Sequence, residues 1–182
     1  MSSRTTRRPG SLAGPRGVVA FRGVVARVAA VGTTALLLAV AGCGNAVEVE
    51  TGDLSAEDRE RCAALVADLP DELFGQERRD VEPEDAPAAA WGDPAAVLVC
   101  GVDQPAEYDQ FSSCTEIGGT GWFMPDTQLR ERGGAVEITA MSHSPRVQLV
   151  VPPELRGEGA DSALAQLGPL VDEHLVETLS CH

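Results

Sequence analysis

The chain has 182 residues, of which 14 are cationic, 28 acidic and only seven aromatic. Residues 1–42 contain six arginines and no acid, so every acid lies in the remaining 140 residues, whose net charge is near −20. This size predicts one modest domain. So acidic a body disfavours nucleic-acid binding, because nucleic acids are polyanions.

Residues 1–42 have the pattern of an export signal. After Arg27, the last arginine of this stretch, an uncharged run of 15 residues extends to Gly42. That length suits a secretory signal and is shorter than the ~20 residues that a membrane-spanning helix needs. The run ends in Val40-Ala41-Gly42-Cys43, which is similar to the lipobox of bacterial lipoproteins.

We therefore predict that residues 1–42 are a removed lipoprotein signal peptide and that Cys43 carries a diacylglyceryl group. Two acyl chains would hold the protein stably on the extracytoplasmic face of the cell membrane. An uncleaved signal anchor is the alternative. The export route, general secretion or a twin-arginine signal at Arg7-Arg8, stays open.

The body begins with a polar stretch and then a helix. Residues 43–54 lack helical periodicity and are predicted to be a flexible acidic tether before a single extracytoplasmic domain at 55–182. Ser55 is predicted to be the N-cap of the helix, and Pro70 is predicted to stop it. Between them lies one apolar stripe: Cys62, Leu65, Val66 and Leu69.

The next elements predict a sheet followed by a helix. Residues 71–95 are predicted to be an ordered loop, closed by the turn Trp91-Gly92-Asp93-Pro94. Predicted strands follow at 96–102, 115–117, 121–124, 136–140 and 147–151, with a turn at 142–145. A last helix is predicted from Asp161 as N-cap, kinked or restarted at Gly168-Pro169. The class is α+β, a mostly antiparallel sheet with terminal helices packed on one face.

Four cysteines remain after Cys43, which predicts two disulfides in an oxidising compartment. Four cysteines allow three pairings, and we favour Cys100 with Cys114 and Cys62 with Cys181. A zinc site is the rival interpretation, but the sequence has no CxxC pair.

Several motifs of the body resemble one known family in their order along the chain. They are Cys62, Leu69-Pro70, Arg78-Arg79, Trp91-Gly92-Asp93-Pro94, Cys100-Gly101, Pro105 and Trp122. Over residues 60–180 this pattern resembles the actinobacterial lipoproteins of the domain of unknown function 3515 family. The absence of lysine fits a high-GC actinobacterium. The resemblance implies a cellular localisation and a fold, but no established activity.

Two histidines could carry chemistry. His143 lies between two serines in a predicted turn, and a serine hydrolase would need such a residue, yet no GxSxG motif accompanies it. His174 lies one helical turn from Glu177 and could hold a metal. For both, an ordinary exposed side chain is the simpler interpretation. An acidic cluster, which could bind calcium, lacks the spacing of an EF-hand loop: Asp80, Glu82, Glu84 and Asp85.

Two tryptophans and two arginines are candidate interaction residues. Trp91 and Trp122 are either buried with a bonded indole nitrogen or exposed as a ligand platform. Arg78 and Arg79 either pair with carboxylates or bind an anionic partner. We therefore expect a binding or interaction module of the cell envelope, with an envelope protein as partner, no cofactor and no catalytic residue. A small hydrolase and a solute-capture lipoprotein are the alternatives.

Overall fold

The structure is a computed structural model that describes residues 46–157 and 159–178. The predicted leader, Cys43 and Cys181 lie outside these residues. The helices are α1 (Ala56–Asp68), α2 (Asp126–Arg130) and α3 (Ala160–His174). The strands are β1 (Val47–Glu48), β2 (Glu72–Leu73), β3 (Gln76–Arg79), β4 (Val81–Glu82), β5 (Ala88–Trp91), β6 (Ala96–Val102), β7 (Thr115–Ile117), β8 (Thr120–Phe123), β9 (Val136–Ala140), β10 (His143–Ser144), β11 (Arg146–Val151) and β12 (Val176–Glu177).

Helix α1 confirms the local signals that predicted it. The Ser55 hydroxyl oxygen accepts a hydrogen bond from the backbone N–H of Asp58 at 3.1 Å, which satisfies one of the free donors of the first turn. The helix ends at Asp68, because a residue that precedes a proline, here Leu69, is disfavoured in helical conformation. The apolar stripe faces inward, since Cys62 and Leu65 are fully buried.

Eight of the described strands form one antiparallel sheet in the order β2-β3-β5-β6-β11-β9-β8-β7. The predicted strands at 96–102, 115–117 and 136–140 are confirmed with those bounds. The strand predicted at 121–124 lies one residue earlier, and the strand predicted at 147–151 begins one residue earlier. The hairpin β7–β8 turns at Gly118-Gly119, which both have positive φ. Mixed α and antiparallel β structure confirms the α+β class.

The segment predicted as a loop at 71–95 contains strands, and that prediction is wrong in this respect. It holds β2 to β5, each of two to four residues. Strand β5 begins with three alanines, which are weak strand formers, so no alternation of polar and apolar residues predicts it. The predicted turn at 91–94 does connect β5 with β6.

The last helix differs from the prediction at its start, and it does not restart at its centre. Its N-cap is Gly159, with φ of 95°, instead of Asp161. The helix continues through Gly168-Pro169 to His174. Gly168 allows close packing here: a Cβ on it would lie 2.6 Å from the carbonyl oxygen of Ile117. The Thr120 hydroxyl also donates to the Gly168 carbonyl at 3.0 Å.

Helices α1 and α3 pack on one face of the sheet and enclose the main core. Its helical side chains include Cys62, Leu65, Leu164, Leu167 and Val171. Its sheet side chains include Trp91, Leu98, Trp122, Ile138 and Leu149. The predicted position of the helices on one face is therefore confirmed, and we call this side the helix face.

The opposite face of the sheet carries a second, smaller cluster. Its buried residues are Ala86, Ala88 and Val99. Val81 of β4 and Val49, which follows β1, pack against it; β1 and β4 are a parallel pair. Further along this face the connection between β6 and β7 passes over the sheet, and its Tyr108 ring packs edge-on against Phe123 with centroids 5.0 Å apart.

A β-bulge in β6 marks the point where the N-terminal segment meets the sheet. Val147 pairs with Cys100 and Arg146 with Val102, so Gly101 is the extra residue. Its φ of 92° suits glycine. A Cβ there would lie only 2.6 Å from the side chain of Leu54, which packs against the core.

The disulfide observed among the described residues joins Cys62 to Cys100, with Cα atoms 5.6 Å apart. The predicted pairings of Cys100 with Cys114 and of Cys62 with Cys181 are therefore wrong. The reason is tertiary: α1 lies across β6, which places both sulfurs in the core. Cys114 is also disulfide-bonded.

Candidate functional site

Both tryptophans lie in the core and present no surface to a partner. Trp91 and Trp122 are fully buried. The indole N–H of Trp91 donates to the Pro70 carbonyl at 2.9 Å, and that of Trp122 donates to the Ile117 carbonyl at 3.1 Å. Each indole therefore joins a strand to a neighbouring segment, as buried tryptophans commonly do.

Arg78 supports the end of α1. Its guanidinium donates to the carbonyl oxygens of Val66 at 2.9 Å and Leu69 at 3.1 Å. Val66 lies in the last turn of the helix and Leu69 is its C-cap, where carbonyls lack partners within the helix and a cation is favoured by the helix dipole. Arg156 does the same for α2, since it donates to the carbonyl of Gln128 at 3.0 Å.

Arg79 holds the turn between β5 and β6. It donates to the Gly92 carbonyl at 3.0 Å, and its guanidinium lies 3.8 Å from a carboxylate oxygen of Asp93. Asp93 is exposed, so this ion pair contributes little. Arg78 and Arg79 are adjacent in sequence but stabilise different parts of the fold, the end of α1 and the β5–β6 turn.

His143 is buried, which differs from the exposed turn residue that the sequence suggests. It lies in β10, which pairs with β12, and its side chain is fully inaccessible. Its Nδ1 lies 2.8 Å from the Ser142 hydroxyl oxygen and its Nε2 lies 3.3 Å from Asp172 Oδ1. The same hydroxyl accepts a hydrogen bond from the backbone N–H of Gly121 at 2.9 Å.

A serine, a histidine and an aspartate in contact are the members of a hydrolase triad, but this arrangement is closed. Ser142 and His143 are 4% and 1% exposed, so a substrate cannot reach the hydroxyl oxygen without a rearrangement. The Ser142 carbonyl also accepts the backbone N–H of Thr178 at 2.8 Å. The network therefore ties β8, β10 and α3 together around the buried imidazole.

His174 contacts a neighbouring helix. Its Nε2 lies 2.8 Å from Asp68 Oδ2, a distance that suits an ion pair when the imidazole is protonated, although the angles are not those of a hydrogen bond. The contact joins the last turn of α3 to the last turn of α1. Within residues 46–157 and 159–178, no group of three His, Cys, Asp or Glu side chains has the arrangement of a metal site.

A groove of about 500 Å³ lies beside the point where the described chain begins, and we call it the stem groove. Ala46 lines it, together with Arg78, Arg79, Glu82 and Glu84. Its floor consists of small apolar side chains, and acids and arginines both stand on its rim. Three of the four acids in the acidic cluster of the sequence, Asp80, Glu82 and Glu84, therefore lie along this groove, beside cations.

A second cavity, of about 350 Å³, lies on the face of the sheet that is opposite the helix face, and we call it the Phe111 cavity. It opens between the β6–β7 connection and the segment that joins β8 to α2. Its lining combines acids with apolar side chains: Glu107, Asp109, Phe111, Ser112, Ser113, Phe123, Met124, Pro125, Asp126 and Thr127. Phe111 is 85% exposed, the largest exposure of any large apolar side chain in the described part of the chain.

The turn that carries Phe111 is held by its own side chains. Asp109 Oδ1 accepts from the Phe111 backbone N–H at 2.8 Å and lies 3.1 Å from the Ser112 hydroxyl. The Ser112 hydroxyl oxygen in turn accepts the Asp109 backbone N–H at 2.9 Å. Reciprocal bonds of this kind fix an Asx-type turn, so the phenyl ring is presented on a defined backbone.

The segment that follows Cys43 joins the domain almost at once. The Val47 N–H donates to the Asp80 carbonyl at 2.8 Å, and the Val49 N–H donates to the Glu82 carbonyl at 2.9 Å. Within the predicted tether, the backbone at Val47 and Val49 is thus hydrogen-bonded to the domain. Three residues span at most about 11 Å, which limits the Cα distance from Cys43 to Ala46.

Sequence reasoning missed the Phe111 cavity and the buried state of His143. A single Phe in a polar connection carries no periodicity, and the Asp109-to-Ser112 spacing was the one local signal that could have identified the turn. In the described part of the chain, no helix is both long enough and apolar enough for a membrane crossing.

Comparison with known proteins confirms the resemblance to the family of unknown function. A protein-family model described as protein of unknown function (DUF3515) matches residues 21–179. No curated protein and no solved structure matches this chain. The match covers most of the chain and includes every strand and helix described above. The chain therefore belongs to the family of proteins of unknown function DUF3515.

Proposed function

We propose that this protein is a lipid-anchored lipoprotein of an actinobacterial cell envelope that binds another envelope protein. Residues 1–42 would direct export, and the lipid on Cys43 would hold the domain on the extracytoplasmic face of the cell membrane. The observation that carries the proposal is the docked strand β1, which begins at Val47. A domain joined to its anchor through so short a link would stay beside the membrane, so its partners would be proteins of the envelope.

The disulfide supports the extracytoplasmic location in this proposal. Cys62 and Cys100 are both fully buried and joined. Such bonds form and persist in oxidising compartments and are rare in the bacterial cytosol. The charge supports the proposed lipid anchor. A body with a net charge near −20 is repelled by anionic membrane surfaces, so a covalent anchor is needed to keep it at the membrane.

The proposed lipidation and membrane localisation are tested by labelling the native host with radioactive palmitate. We expect the wild-type protein to be labelled, shortened by the leader and sensitive to protease in cells whose outer layers are opened. Cys43→Ser should lose the label and leave the membrane fraction. An unlabelled wild-type protein that keeps its leader, stays in the cytosol and has reduced thiols would contradict the proposal.

The interaction is tested by chemical crosslinking in the native host, followed by mass spectrometry of envelope proteins that co-purify. We expect a defined partner that depends on Cys43. If the protein is recovered alone while the purified protein retains a stoichiometric small molecule, solute capture explains it better. Both cavities described above are open and have charged rims, so such a solute would be polar.

A serine hydrolase is the second candidate, because Ser142, His143 and Asp172 are in contact. Burial and the Gly121 N–H bond to the serine oxygen speak against it. A fluorophosphonate probe distinguishes the two: labelling that disappears in Ser142→Ala would favour the hydrolase. A metal-dependent enzyme at His174 would instead require retained metal that is lost in His174→Ala.

A further inference from the structure

We propose that the Phe111 cavity is the docking site for a partner segment that carries an arginine or lysine beside an apolar side chain. This inference rests on the proposed function, because it names the surface and the partner chemistry of the same interaction. Phe111 would pack against the apolar side chain, and the acids of the cavity would meet the cation.

Exposure and rigidity of the phenyl ring support this assignment. The body has six aromatic residues, and Phe111 is the one that is 85% exposed. Its turn is fixed by the reciprocal bonds between Asp109 and Ser112. A ring on a preorganised backbone loses little conformational freedom on binding, and aromatic side chains of this kind dominate the energy of many interfaces.

Neighbouring groups make the surface larger than one ring. Phe123 and Met124 line the same cavity, and Tyr108 packs against Phe123 from the connection above it. Helix α2, whose first turn lines the cavity, carries Leu129, which is 45% exposed. Apolar and aromatic side chains of both segments therefore border one depression.

Charge selects the partner. Glu107, Asp109 and Asp126 line the cavity, and no cation is among the described residues that line it. Arg130 lies nearby and pairs with Asp126 at 2.9 Å, an exposed ion pair of small energy. An incoming guanidinium could stack on the Phe111 ring and pair with Glu107. The same acids would repel an anionic bilayer, so a protein segment fits this surface better than lipid headgroups do.

The test is site-specific photocrosslinking of the full-length protein in its native host. Phe111→p-benzoylphenylalanine places the photoreactive group in the cavity, and the same substitution at Val176, which is 43% exposed on β12, is the matched control. We expect a protein adduct from position 111 and none from position 176. In the adduct, the crosslinked peptide should contain Arg or Lys within a few residues of an apolar side chain.

A charge reversal sharpens the result. Glu107→Lys should lower the adduct yield at position 111 at least about fivefold, as expected when a close interfacial charge pair is lost and replaced by repulsion. Glu84→Lys, an equal change in the exposed rim of the stem groove, should leave the yield unchanged. Both glutamates are exposed, so neither variant should fail to fold.

The proposal is overturned by a lipid adduct at position 111, by an acidic crosslinked peptide, by the absence of an adduct, or by an equal loss of yield in both charge variants. Palmitate labelling of the same cells separates these outcomes from failure of the proposed function. A labelled, membrane-bound protein that crosslinks to a partner only at other positions would leave the anchored module intact and remove this surface.

Discussion

The two faces of the central sheet differ in what their side chains do. On the helix face, the largest side chains are fully buried, and the polar groups we describe there have partners, as the indole N–H groups of Trp91 and Trp122 do. The opposite face carries a smaller cluster around Val99 and, further along the sheet, an open cavity with an exposed Phe111. The helix face therefore stabilises the fold, and the opposite face carries the surface that we propose as a docking site.

The largest expected effect is on the helix face. Trp122→Ala should lower the free energy of unfolding by about 3 to 5 kcal/mol, because it leaves a large cavity and removes the bond to the Ile117 carbonyl. Urea denaturation of the purified protein measures it. On the opposite face, Phe111→Ala should change the same quantity by less than about 0.5 kcal/mol. Equal losses would mean that Phe111 belongs to the core.

The disulfide is the second way to test the helix face. Replacing Cys62 and Cys100 together by alanine should cost about 4 kcal/mol in the chain-entropy estimate for a bond across 38 residues. Urea denaturation again measures the loss. Peptide mapping without reduction should recover Cys62 linked to Cys100, and a peptide that links Cys100 to Cys114 would contradict the structure.

A smaller effect is expected at the buried histidine that joins the sheet to α3. His143→Ala should cost about 2 to 3 kcal/mol, since it opens a cavity and leaves the buried Ser142 hydroxyl without that partner. Ser144→Ala, at the exposed neighbour, is the control and should be nearly neutral. If His143→Ala is as stable as the control, the network does not support the fold.

The smallest of these effects concerns the contact between α3 and the β7–β8 turn. Gly168→Ala should gain about 1 kcal/mol of helix propensity and lose more to the clash with the carbonyls of Ile117 and Gly118, for a net cost of about 1 to 2 kcal/mol. Gly133→Ala, where a Cβ would meet nothing within 4 Å, is the control. A stabilised Gly168→Ala would show that α3 can move away from the turn.

Elements with strong local signals could be predicted from the sequence. Helix α1 has a capping serine, an apolar stripe and a terminating proline, and all three act as expected. Strands β6, β9 and β11 carry an apolar run or an alternating pattern, which reports burial on one or both faces. Such signals arise within a few residues and need no knowledge of the remaining chain.

Short strands and single contacts could not be predicted in this way. Strands β2 to β5 span at most two full periods of alternation, which is too short for a clear pattern. Their pairing depends on other segments, since β5 pairs with β6 and β4 pairs with β1. His143 illustrates the same limit, because its imidazole contacts Asp172 on α3, and the Ser142 hydroxyl beside it accepts from Gly121 on β8. Both partners lie more than 20 residues away in the chain.

By itself, the sequence determined the acidic character of the body, the class of the fold and the position of its main helix and strands, because composition and periodicity are local properties. Only the tertiary structure decided that Cys62 joins Cys100, that Trp91 and Trp122 are enclosed, and that Phe111 stays in solvent. These outcomes depend on which surfaces meet across long stretches of chain, and the energy of a contact exists only once both partners have been brought together.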